Sequence, residues 1–91
     1  MKIGRTRTRK EDLAEKLIMF CIETKLISEQ EMASVSSSVL ADQLEDITYV
    51  DQLIQWLLLR AGNMNYEDVL RMRELLVALV ETKVELENLV S

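Results

Sequence analysis

A chain of 91 residues has room for one hydrophobic core and for no second catalytic lobe. With 48% apolar and 30% charged residues it has a foldable balance, and with no histidine and no proline it lacks imidazole chemistry and the most rigid turn former. The net charge of −5 hides an asymmetry: the first ten residues hold five basic side chains and no acid, which leaves six basic against sixteen acidic residues, or −10, on the remainder.

Residues 1–10 read as a flexible basic arm, with Gly4 permissive and Arg5, Arg7, Arg9 and Lys10 repelling one another, and residues 11–91 as a single helical domain. The basic start runs into Glu11, Asp12 and Glu15 where a secretory signal would carry an apolar stretch, so a cytoplasmic protein is expected. From there Leu13, Leu17 and Phe20 recur at helical spacing with Ala14, Ile18 and Cys21 beside them, predicting a first helix over about residues 10–26. Cys21 is alone inside the run Leu17–Ile22. That excludes an intrachain disulfide and predicts a buried thiol of low reactivity.

Ser28 followed by Glu31 matches a capping box, in which hydroxyl and carboxylate each satisfy an amide at a helix start. The helix that begins there meets Ser34, Ser36, Ser37 and Ser38, which compete for backbone hydrogen bonds, so a break or bend is expected between 34 and 38. Val35, Val39, Leu40, Leu44 and Ile47 keep helical spacing beyond it. Thr48 with Asp51 reads as another capping pair, opening a helix through Leu53, Ile54, Trp56, Leu57, Leu58 and Leu59 that is apolar nearly all round. Gly62 is placed to end it in a left-handed conformation, and Asn63 and Asn65 supply turn and cap chemistry.

The last helix should run from about Tyr66 to near Leu89, with Glu67 and Asp68 complementing the dipole of its first turn. Its most regular feature is a seam of Val69, Met72, Leu76, Leu79, Lys83, Leu86 and Val90, alternating steps of three and four, broadened by Leu75, Val77, Val80 and Val84. The fold class expected is therefore all-α, a small bundle of four to five helices with a long C-terminal helix. Such a helix is roughly 36 Å long, more than the diameter of about 32 Å of a sphere with the radius of gyration expected for this chain length. Together with three apolar segments, 17–22, 56–59 and 75–80, this predicts a homodimer whose interface uses Val69, Met72, Leu76, Leu79, Lys83, Leu86 and Trp56.

Catalytic and metal chemistry find few parts. Without histidine there is no histidine phosphotransfer, no conventional zinc site and no histidine-assisted nucleophile, and the basic group nearest Cys21 in sequence is Lys25. Asp42, Glu45, Asp46 and Asp51 read as a solvated acidic face, since no loop glycine or ordered oxygen-ligand pattern accompanies them. Neither an enzyme nor a cofactor is expected. The longest apolar runs fall far short of the roughly 20 residues that a membrane-spanning helix needs, so no membrane is expected as a partner.

Arg5, Arg7 and Arg9 share one side of an extended chain, with Lys10 following, and so match a phosphate backbone. The acidic remainder opposes it. The functional expectation is a small non-enzymatic helical interaction protein, a regulator, adaptor or inhibitor that binds a protein partner. The alternative is a dimeric DNA-binding regulator that uses the arm for phosphate contacts.

Overall fold

Short polar side chains set where most of the helices begin, by accepting the amides that the first turn leaves unpaired. The computed structural model describes residues 9–32 and 35–90, and among them five helices follow in order: α1 (Arg9–Glu23), α2 (Glu29–Met32), α3 (Ser37–Gln43), α4 (Ile47–Ala61) and α5 (Tyr66–Val90). The capping box ahead of α2 forms, with the Glu31 amide donating to Ser28 Oγ at 3.1 Å and the Ser28 amide to Glu31 Oε1 at 3.4 Å. Asn65 caps α5, its Oδ1 accepting from the Asp68 amide at 2.8 Å.

One start differs from expectation and another falls where a break was expected. Asp46, not Thr48, opens α4: its Oδ1 accepts from the amides of Thr48 at 2.9 Å and Tyr49 at 3.4 Å, so the helix starts one residue before the expected cap and Asp51 is freed for another partner. The break expected within the serine cluster separates α2 from α3, and Ser36 caps the new start by accepting from the Val39 amide at 3.2 Å. Ser34, where that break was expected to begin, lies outside the described residues.

The helix ends also hold a correction. Gly62, expected to be left-handed, has φ −64 in the ordinary right-handed region, and the backbone places no atom within 4 Å of where a Cβ would stand. Among the described residues the left-handed one is Lys25, with φ 61. Around it the Leu26 amide reaches Cys21 O at 3.0 Å and the Lys25 amide reaches Ile22 O at 3.1 Å, the paired bonds of a Schellman ending. This closes α1 at Glu23, three residues before the expected end.

Packing joins neighbours in the chain first. α4 and α5 form a helical hairpin across residues 62–65, α3 lies on α1, and α1 docks on α5 to unite the two parts. The core runs through all of them: Leu13, Leu17 and Phe20 from α1, Leu40 and Leu44 around α3, Val50, Ile54 and Leu57 from α4, and Met72, Leu75, Leu79 and Leu86 from α5. Thr82 is the buried polar member, its hydroxyl donating to Ala78 O at 2.9 Å. Arg71 fastens α5 to α1 from outside, pairing with Glu23 while its guanidinium stands 5.4 Å from the centre of the Phe20 ring. The resulting body measures 43 × 34 × 21 Å, about two helices thick, so α5 has its own core on one side and an outer surface on the other.

Candidate interaction surface

The seam expected to hold a second chain is turned mostly inward. Met72, Leu79 and Leu86 are 1%, 0% and 5% exposed and contribute to the core of a single copy. Val69, Leu76 and Trp56 are half-buried, and Leu76 and Trp56 pack against that core. Lys83, read as a polar interruption of the seam, reaches across to α4, and its Nζ donates to Asp51 Oδ1 at 2.8 Å. Trp56 has its ring under the Arg60 guanidinium at 4.0 Å, and Arg60 also donates to Trp56 O.

The opposite side of α5 is apolar as well. Leu70, Val77, Val80 and Val84 are 41%, 53%, 47% and 46% exposed, half open to water on a helix whose other side is core. On a helix of 3.6 residues per turn these four fall within one strip about 80° wide, centred well away from Leu79. Sequence reasoning named Val77, Val80 and Val84 only as a broadening of the inward seam. Each of the three segments expected to be apolar all round shows an outward member in the same way: Met19 in α1, Leu58 and Leu59 in α4, Val77 and Val80 in α5.

The basic residues divide. Arg5 and Arg7 lie outside the described residues. Arg9 and Lys10, expected in the arm, form the first turn of α1 and point at carboxylates of the body: Arg9 lies 3.3 Å from Glu85 on α5, and Lys10 lies 3.0 Å from Glu45 beyond α3. The acidic face is similarly engaged. Glu45 faces Lys10, Asp46 caps α4 and Asp51 faces Lys83, and among the described residues no group of three or more acidic or cysteine side chains is arranged to hold a metal.

A cleft of about 360 Å³ opens between α1, α3 and α4, lined by Leu17, Ile18, Cys21, Leu53, Trp56 and Tyr49 among others. Its chemistry is subdued. Burial pushes the Cys21 thiol up to about 11, and no neighbouring cation draws it back. Tyr49 is raised too, first by burial and then by the adjacent thiol. A thiol held neutral in apolar surroundings is a poor nucleophile. Among the described residues every buried side-chain nitrogen and oxygen has a hydrogen-bond partner, and no helix is long and apolar enough to cross a membrane. No protein-family model matches the chain, and neither the curated proteins nor the solved structures contain a match to it.

Proposed function

We propose that this chain is a small non-enzymatic interaction module, a regulator, adaptor or inhibitor that acts by binding a protein partner through the outer strip of α5. One observation carries the reading: Leu70, Val77, Val80 and Val84 stay about half exposed on one strip of a helix whose other side already fills the core. Burying apolar area is worth roughly 25 cal/mol per Å², so a strip of this kind is stabilised by any partner that covers it. The excess of acidic residues after position 10 would steer the module toward partners with a basic rim. In this reading the protein works in the cytoplasm, with its single thiol unpaired inside the fold.

Capture from the native host's lysate with tagged wild type and Val77→Asp tests it. A partner retained in stoichiometric amount by the wild type and lost from the variant supports the reading. Identical capture by both would move the binding surface elsewhere.

A further inference from the structure

Resting on that reading, we propose that the outer strip of α5 pairs antiparallel with the same strip of a second copy, Val77 of each chain lying against Val80 of the other. The spacing supplies the first argument. Leu70, Val77 and Val84 are seven residues apart, and Arg73, Val80 and Glu87 stand three residues after each of them. These are the two rows of a coiled-coil seam, on the side of α5 that the fold leaves uncovered.

Charge chooses the direction. In a parallel pair equivalent residues meet, so Arg73 faces Arg73 and Glu87 faces Glu87. In an antiparallel pair one row meets the other: Val77 packs on Val80, Arg73 on Val84 and Leu70 on Glu87. Arg73 then lies three residues along the axis from Glu87 of the second copy, within reach of its long side chain. Glu87 also stands one turn from Lys83 of its own helix, whose ammonium is held by Asp51 and supported by Glu87. The arrangement maps onto itself by a two-fold axis, so it closes as a dimer and does not propagate.

Size sets the strength. From Leu70 to Glu87 the seam runs roughly 26 Å and a helix is about 10 Å across, a projected contact of about 260 Å². Standard specific interfaces bury about 800 Å² per partner, so this pair is weak and forms at high micromolar concentration. Glu74 and Glu81 border the seam on the side toward α1 and face their own kind across it. Salt screens that repulsion and the Arg73–Glu87 attraction alike.

Sedimentation equilibrium on the full chain, from about 10 µM to about 1 mM, is the test. The mass should rise from one chain toward two. Val77→Asp should remain single at every concentration with its helicity retained and its melting midpoint only slightly lowered, because the residue is half exposed in one copy. Arg73→Glu and Glu87→Arg should each weaken association at least tenfold, and the double variant should recover it. A wild type that stays single throughout would overturn the pairing, and charge reversals without effect would overturn its antiparallel direction. The two proposals fail separately. A wild type that is single yet loses a host partner on Val77→Asp removes only the second copy, whereas equal capture by wild type and variant removes the use of this strip for a host partner.

Discussion

Lys83 Nζ donates to Asp51 Oδ1 at 2.8 Å, linking the far end of α5 to the first turns of α4 across the hairpin. The bond and the charge of Asp51 raise the Lys83 pKa above its usual value, with Glu87 adding to the same direction. A base whose folded pKa is raised stabilises the fold fully below the unfolded value and loses that stabilisation as pH climbs through the folded one. Asp51→Asn should therefore lower the melting midpoint only slightly near neutral pH, as expected for an exposed pair. Thermal melts of wild type and variant should converge once the pH has passed the raised Lys83 pKa and the ammonium is lost. A gap that persists there would show that Asp51 acts through something other than the ammonium.

Leu79 and Val77 are two residues apart on α5 and face opposite environments, 0% and 53% exposed. Leu79→Ala leaves a cavity in the core and should cost about 2–5 kcal/mol in chemical denaturation. Val77→Ala should stay within about 0.5 kcal/mol at dilute protein concentration. Comparable losses at both positions would mean that the helix is rotated from the orientation described.

Gly62 and Lys25 carry the opposite of the expected backbone demands. Because Gly62 is right-handed with open space at its Cβ, Gly62→Ala should stabilise by about 0.4–1 kcal/mol, chiefly by restricting the unfolded chain. Lys25→Gly removes a left-handed penalty of about 1–2 kcal/mol but adds unfolded entropy of about 0.5–1 kcal/mol. A modest net gain should appear in urea titrations.

The thiol of Cys21, pushed up to about 11 by burial, should react slowly with iodoacetamide in the native state and quickly once urea unfolds the chain. The pH sign is the same as for Lys83. An acid with a raised folded pKa keeps its proton while the unfolded thiol ionises, so stability falls as pH rises from about 9 toward 11, and Tyr49 adds to the fall from about 10 upward. Cys21→Ala should flatten the lower part of that decline even though its absolute stability is reduced. Rapid labelling of the native protein at pH 7.5 would contradict the buried state.

Local chemistry was legible in the residues alone. The capping box at Ser28 and Glu31, the cap at Asn65 and the long last helix all follow from short-range hydrogen bonding and helical spacing, and the structure contains each of them. Asp46 was missed because Thr48 with Asp51 matches a capping pair whereas the residue three after Asp46 is Tyr49, and capping is decided by where the preceding turn leaves the chain. The end of α1 was illegible because lysine is an unusual left-handed residue, held at Lys25 by the bonds that follow. The facing of α5 was only half legible. Its spacing reveals two apolar rows, but which one is covered depends on α1 and α4 approaching from the same side, a relation between distant segments.

Among the described residues the helix contacts chiefly join chain neighbours, α1 with α3 and α4 with α5, and the seating of α1 on α5 brings the first and last helices together. Folding speed tracks how local such contacts are. With most contacts local, refolding should finish within milliseconds, and the long-range closure of Phe20 against α5 should form last. A substitution at Phe20 should therefore act mainly on the rate of unfolding.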